Sequence, residues 1–183
     1  GGLVLNKDVY DMQPGEALQL INFEPSTEGG YRRLNGTTKY NSTIVPQVAL
    51  ANERIQMSAI FNDKIIAARG GTVSYGTTSG AWTSLATSQG ATYTYDFDKF
   101  NFSGTSKIII ATGEAAAFTV NTSFAVDVIN ATGGGTAPTN PKFVKTFANH
   151  VFYGGMSNST HSILFSVPFL EDNFTSASGA GEI

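Results

Sequence analysis

The sequence of 183 residues contains no cysteine and few charged residues. Without cysteine the chain can form no disulfide bond, no thiolate metal site and no cysteine nucleophile. Charged residues make up only 14% of the chain and the net charge is −3, which argues against nucleic acid as the main partner. No run approaches the roughly 20 apolar residues that a membrane-spanning helix needs. We therefore expect no membrane partner and no tight binding to DNA.

Side chains that carry catalysis or hold metals are also scarce. The two histidines, His150 and His161, have no third ligand close in sequence that would complete a metal site. Asp96 and Asp98 lie on one face of a predicted strand, but the glycine and other oxygen ligands of a calcium loop are missing. G-x-S-x-G and paired glutamates are absent too. We predict no enzyme activity, no catalytic residue, no cofactor and no metal. We expect the aspartate pair to lie on a solvent-facing edge and His150 to be an exposed residue at the start of a strand.

A repeat of about 43 residues between Arg54 and Phe174 is the strongest signal in the sequence. Lys64, Lys107 and His150 occupy matching places in its three copies. Such a period with four strands per unit is typical of a β-propeller blade. We predict an all-β fold of antiparallel four-stranded blades in an incomplete propeller, with blades at approximately 54–88, 93–130 and 141–176. Each last strand is expected to carry an aromatic residue that packs between blades: Trp82, Phe124 and Phe174.

Residues 1–50 have a different pattern from the repeat region, 51–183. Asp11 as a cap, Pro14 in a first turn and apolar residues at helical spacing up to Ile21 predict a short helix. We predict that this helix-and-strand segment packs on the propeller or closes it. Residues 178–183 have the pattern of a turn and the start of another blade, so the chain is expected to continue in a larger protein.

Two regions are candidates for interaction with other molecules. The adjacent arginines of a predicted strand near residue 32 are suited to carboxylate or phosphate, although neighbours in a strand face opposite ways. The glycine-rich stretch within 133–140 is predicted to be a flexible loop between blades. The candidate interaction residues are Arg32, Arg33, Trp82, Gly133, Gly134 and Gly135.

Several motifs resemble those of β-propeller structural proteins of short-tailed bacteriophages, of the head–tail stabilisation or tail nozzle type. Residues 11–25 (DMQPGEALQLINFEP) and 30–36 (GYRRLNG) are similar to the opening of that family. Residues 147–155 (FANHVFYGG), 164–166 (LFS) and 171–174 (EDNF) are similar to its blade signature. His150 replaces the usual basic residue of the signature, and residues 167–170 are more apolar than the family's polar turn.

The resemblance implies a virion protein at the head–tail junction or in the tail tube, made in the host cytoplasm. It implies a ring around the DNA exit channel, usually of six copies, in contact with adaptor, portal or other tail proteins. DNA would then be passing cargo, and a mildly acidic surface of low charge suits DNA that must slide past.

A carbohydrate-binding propeller remains the alternative. Its support is four aromatic residues expected to be exposed near Asn and Thr side chains: Tyr75, Trp82, Tyr93 and Tyr95. A lectin propeller would be expected to repeat its sugar contacts in every blade. The aromatic residues that recur here are chiefly apolar and occupy blade-packing positions, which favours a scaffold.

Overall fold

The structure is a computed structural model of an all-β protein with almost no helix. The chain divides into two compact units, residues 1–39 and residues 40–183. The domain boundary predicted at residue 50 lies outside the described residues. No helix among the described residues is long and apolar enough to cross a membrane. The structure describes residues 2–3, 8–13, 16–17, 21, 23–25, 30–34, 36, 38–47, 54–102 and 104–183.

The first unit contains two short strand pairs. Strands β1 (Gly2–Leu3) and β2 (Glu16–Ala17) pair in parallel. Strands β3 (Phe23–Pro25) and β4 (Tyr31–Arg33) form an antiparallel pair.

The helix predicted after Asp11 is not seen. Asp11 instead ends a single 3₁₀ turn, Val9–Asp11, which is capped by the Asp8 carboxylate accepting from the Tyr10 backbone N–H at 3.1 Å. An isolated helix of this length is marginal in water, and β2 gains backbone hydrogen bonds by pairing with β1. Residues 14–15 and 18–20 of the predicted helix lie outside the described residues.

The second unit contains three antiparallel four-stranded sheets, each with its strands in sequence order, as the repeat predicted. The first sheet comprises β5 (Ile55–Phe61), β6 (Lys64–Arg69), β7 (Thr72–Gly76) and β8 (Thr83–Ala86). The second comprises β9 (Asp96–Phe102), β10 (Thr105–Ala111), β11 (Phe118–Asn121) and β12 (Val126–Val128). The third comprises β13 (Phe143–Phe147), β14 (His150–Gly154), β15 (Ile163–Phe165) and β16 (Gly181–Glu182). No closed sheet is seen among the described residues.

The last strand of the third sheet differs from the prediction. Residues 178–183 were expected to begin another blade, but β16 pairs with β15 and completes the third sheet. Glycine suits this strand because a Cβ at Gly181 would lie 2.7 Å from the Phe165 ring. Phe174 lies outside any strand and is buried in the core between the second and third sheets.

The middle sheet is buried on both faces, which explains the continuous apolar run of β10. Ile108 and Ile110 pack in the core shared with the first sheet. Ile109 and Ala111 point the opposite way, into the core shared with the third sheet. Strand side chains alternate between faces, so a strand covered on both sides must be apolar at every position. The three sheets therefore form one stack.

We predict that Ile109→Ala lowers the free energy of unfolding by about 2–5 kcal/mol, because it leaves a cavity between two sheets. Val128→Ala, at a side chain that is 46% exposed on β12, should change the free energy by no more than about 0.5 kcal/mol. Urea titration followed by circular dichroism measures both values. Equal losses in the two variants would contradict the double-sided burial of β10.

Candidate functional site: the open face of the third sheet

Each sheet begins with a hairpin whose first strand ends in phenylalanine, at Phe61, Phe102 and Phe147. Phe61 packs edge-on against Phe124 of the second sheet, with ring centroids 6.2 Å apart. Phe102 packs edge-on against Phe169 of the third sheet, at 6.1 Å. Phe147 occupies the same place in the third sheet and is 73% exposed. The side of each sheet that carries this phenylalanine is called its front, and the other side its back.

The front of the third sheet is a largely apolar surface. Val144 and Thr146 of β13 point toward the second sheet, so their neighbours in the strand point away from it. Phe143 is 63% exposed and Ile163 is 45% exposed. We call this surface the open face, and it consists of Phe143, Lys145, Phe147, His150, Phe152, Ile163 and Phe165.

A groove of about 530 Å³ lies at one end of the open face. Phe143, Phe152 and Ile163 supply its apolar wall, while Lys145 and His161 supply polar groups. Contiguous apolar surface of this kind marks a site of association in soluble proteins.

Asp96 and Asp98 bind the first strand of the third sheet. The Val144 N–H donates to Asp96 Oδ2 at 3.0 Å, and the Thr146 N–H donates to Asp98 Oδ2 at 2.8 Å. The Thr146 hydroxyl also donates to Asp98 Oδ2, at 2.7 Å. The expectation of a solvent-facing edge is therefore wrong: the two carboxylates satisfy backbone N–H groups that β13 does not use for pairing. No group of three or more His, Cys, Asp or Glu suited to a metal occurs among the described residues.

The environment of Asp98 favours its ionised form. Burial raises the pKa of this carboxyl, and the hydrogen bonds from Thr146 and from the Lys99 backbone lower it. The Lys145 ammonium, 3.6 Å away, lowers it further. The net result is a pKa below the ordinary value, so the aspartate remains a charged acceptor at neutral pH.

The glycine-rich loop lies between the second and third sheets, as predicted, and is hydrogen-bonded to the third repeat. The Asp172 carboxylate accepts the backbone N–H groups of Asn130 at 2.8 Å, Ala131 at 2.6 Å and Thr132 at 3.0 Å. The Asp172 carbonyl then accepts the Gly133 N–H at 3.1 Å. One carboxylate from the third repeat thus holds the connection that leaves the second sheet.

The three glycines of this loop allow it to pack tightly on residues 173–175. A Cβ at Gly133 would lie 2.7 Å from the Asn173 Cβ, and one at Gly134 would lie 2.6 Å from the Thr175 hydroxyl. A Cβ at Gly135 would lie 2.3 Å from the Phe174 backbone, and its φ is +83°. These glycines are therefore explained by close packing within the chain.

Trp82 lies on the back of the first sheet. The Trp82 ring lies over Gly76, because a Cβ at Gly76 would be only 2.7 Å from it. Gly76 faces the opposite way from its neighbour Tyr75, and Tyr75 packs toward the second sheet. The indole N–H donates to the Thr43 carbonyl at 2.9 Å, and the side chain is half-buried. Trp82 therefore resembles Phe124, which lies on the back of the second sheet. The matching residue of the third sheet is Phe169 and not Phe174.

The two candidate arginines do not form a joint anion clamp in the described first unit. Arg32 Nε donates to Glu24 Oε1 at 2.6 Å across the β3–β4 pair. Arg33 stands opposite Phe23 in the same pair and is exposed.

His150 is half-buried rather than exposed. Its Nδ1 lies 2.6 Å from the Ser166 carbonyl oxygen, and since a carbonyl only accepts, Nδ1 carries the proton. Lys64 holds the same place in the first hairpin, opposite Phe61, but the matching residue of the second hairpin is Thr105 and not Lys107, which lies opposite Phe100. Both lysines reach toward the next sheet. Lys64 Nζ lies 4.6 Å from the centre of the Phe124 ring, and Lys107 forms an ion pair with Glu171.

Most of the aromatic residues proposed for sugar binding are used in packing. Tyr75 stacks on Phe124 with ring centroids 4.2 Å apart. Tyr95 is buried and its hydroxyl donates to the Gly90 carbonyl; burial raises the pKa of Tyr95 to about 12. Tyr93 is partly exposed, with Lys142 Nζ 4.2 Å from its ring centre.

No family model matches the sequence, and no curated protein or solved structure matches it either. The residues that sequence reasoning missed are Phe143, Phe147 and Phe169. The sequence contains a partial signal for two of them. Phe143 and Phe147 lie two residues either side of Lys145, which puts all three on one face of a strand, and a two-residue turn follows.

We predict that Asp98→Asn lowers the free energy of unfolding by about 1–3 kcal/mol at pH 7, because a charge-assisted acceptor is lost. The pKa of Asp98 in the folded state is below the unfolded value of about 3.9. The ionised side chain therefore stabilises the fold fully when the pH is above the unfolded value. The contribution is lost as pH falls through the folded pKa, because the unfolded state binds the proton first. Urea unfolding should therefore show a smaller difference in the free energy of unfolding between wild type and variant at pH 3 than at pH 7. Asp127→Asn, on exposed β12, is the control; an Asp98→Asn gap that does not change with pH would contradict the assignment.

We predict that Gly135→Ala destabilises the fold by about 1–3 kcal/mol more than Gly80→Ala, because only the first change overpacks. Both glycines have positive φ, +83° and +92°, but a Cβ at Gly80 meets nothing within 4 Å. The pair therefore separates backbone strain from steric overlap. Thermal unfolding measures the difference, and equal losses would show that the loop can move away from Phe174.

Proposed function

We propose that this chain is a structural assembly protein of a short-tailed bacteriophage, acting at the head–tail junction or in the tail tube or nozzle. The observation that carries the proposal is the open face: a sheet surface that corresponds to the fronts used in the internal junctions of the stack, but on which no further sheet of the described second unit packs. A surface of this kind suits a protein that works by joining other proteins.

We further propose that the three sheets are consecutive blades of a β-propeller. All three have four antiparallel strands in sequence order, and each front packs on the back of the next sheet. The period of about 43 residues agrees with known propeller repeats. Propellers contain about four to eight blades, so a ring needs more sheets than these three.

Part of the blade signature that resembles phage virion proteins lies in the strands of the open face. Residues 147–155 contain the end of β13 and all of β14, while residues 164–166 contain most of β15. In the proposed role these strands present rigid surfaces to neighbours in a ring. The net charge of −3 fits a channel wall past which DNA slides without tight binding.

Carbohydrate binding remains a second proposal because of the groove beside Phe143 and Phe152. An aromatic wall with polar groups from Lys145 and His161 offers stacking and hydrogen bonds to a sugar. Against it, Tyr75 and Tyr95 serve the core, as described above.

The test is to measure the protein in purified particles of the phage that encodes it. Quantitative mass spectrometry of peptides from residues 54–183 should give a copy number near six per particle. Particles assembled without the protein should fail to retain packaged DNA. Absence of the peptides from particles, together with binding of the purified chain to a glycan array, would replace the structural proposal with the lectin proposal.

A further inference from the structure

The stack of three sheets has a direction and two unlike ends. At each internal junction a front phenylalanine meets an aromatic residue that lies on the back of the next sheet. These contacts are Phe61 with Phe124 and Phe102 with Phe169. The front end of the stack therefore presents a phenylalanine without this partner, Phe147.

The back end presents the complementary aromatic residue. Trp82 precedes β8 as Phe124 precedes β12, and both rings lie on the back of their sheets. Residues 41–45 of the second unit already bind part of this back: Asn41 donates to the Thr77 carbonyl, the Thr43 carbonyl accepts from Trp82 and the Val45 carbonyl accepts from Arg69. Ala67 and Ser74 at its centre are buried, so the exposed part of the back is the hairpin-tip end with Ile60 and the half-buried Trp82 ring.

A second pair of positions matches in the same way. At the junction between the second and third sheets, Asp98 binds Thr146. Counted from the phenylalanine at the end of each first strand, Asp98 is four residues before Phe102, and Thr146 is one residue before Phe147. The residue four before Phe147 is Phe143, which is 63% exposed. The residue one before Phe61 is Ile60, which is 66% exposed and lies opposite Ile65 on the back of the first sheet.

We propose that the open face binds the back of the first sheet of a second copy, with Phe147 against Trp82 and Phe143 against Ile60. This inference rests on the proposed propeller and continues its stack from one copy to the next. A head-to-tail contact of this kind closes into a ring if the rotation permits.

The occupant is a second copy because both halves of the contact lie on this chain. The third sheet supplies aromatic side chains at its front, and the first sheet supplies Ile60, Ile65 and Trp82 at its back. Internal junctions already combine front aromatic residues with aliphatic residues on the back of the next sheet, such as Ile108 and Val144. The positions of the first sheet that match Ile108 and Val144 are Ala67 and Ser58, and Ala67 is buried within the chain. The proposed contact therefore repeats the hairpin-tip part of the internal junctions, at Ile60, Ile65 and Trp82.

Sedimentation of the purified chain over a range of concentrations tests this proposal. We expect a species of twice 19.3 kDa. Trp82 is the only tryptophan, so its emission should shift to longer wavelength on dilution as the ring becomes exposed to water. Phe147→Asp and Ile60→Asp should each weaken dimerisation at least about a hundredfold, while Val128→Asp, at an exposed site away from both ends, should not. Both test positions are exposed within one copy, and far-UV circular dichroism checks that the variants fold.

Mixing the two variants distinguishes a head-to-tail contact from a symmetric one. Phe147→Asp retains an intact back and Ile60→Asp retains an intact front, so the mixture should recover a 1:1 complex through one intact contact. A face-to-face dimer of open faces would instead leave Ile60→Asp dimeric by itself. That outcome would overturn the proposal, as would a monomeric wild type or association that persists in both variants.

The outcome is independent of the test for the phage role. A monomeric chain that is nevertheless present in tail particles would overturn only the second-copy contact, and would indicate that another protein covers the open face. A head-to-tail dimer that is absent from particles would overturn only the phage role.

Discussion

The edge-on contact between a hairpin phenylalanine and an aromatic residue of the next sheet is the interaction on which the stack depends. Phe124 and Phe169, the two receiving residues, both have φ near +63°. A bulky residue in this region is uncommon and costs about 1–3 kcal/mol. Complete burial of a phenylalanine side chain stabilises by about 1.5–3 kcal/mol and aromatic pairing adds to it. Phe61 is buried in the first contact, whereas Phe169 is 50% exposed in the second and gains less from burial.

Away from the hairpin tips, each junction must also satisfy the free edge of a strand. β13 pairs with β14 on one side only, so N–H groups on its other side require acceptors. Asp96 and Asp98 supply them as charged acceptors, which bind N–H groups more strongly than neutral ones. The stack therefore combines an aromatic contact at the hairpin tip with a polar contact along the inner strand, and the two together fix the register of the second and third sheets.

Features that depend on local pattern were predictable, and features that depend on distant partners were not. Alternation and glycine turns indicated four-stranded units, and the apolar run of β10 indicated burial on both faces. The roles of Asp96 and Asp98 depend on partners 48 residues away, and no sequence spacing reports such a distance. The hydrogen bonds that hold the glycine loop were unpredictable for the same reason, because Asp172 lies about 40 residues beyond it. The prediction of an N-terminal helix was wrong because it used only the local capping and spacing pattern, whereas β2 pairs with β1.

The change from Asp98 to Phe143 at equivalent positions determines which surfaces can meet. If the front of the second sheet met an apolar partner such as Ile60, the Asp98 carboxylate would be buried without its donors, at a cost of several kcal/mol. If the open face met a strand such as β13, Phe143 would cover the free N–H groups without accepting from them. The front of the second sheet therefore fits the free edge of β13 and not an apolar back, which fixes the order of the second and third sheets.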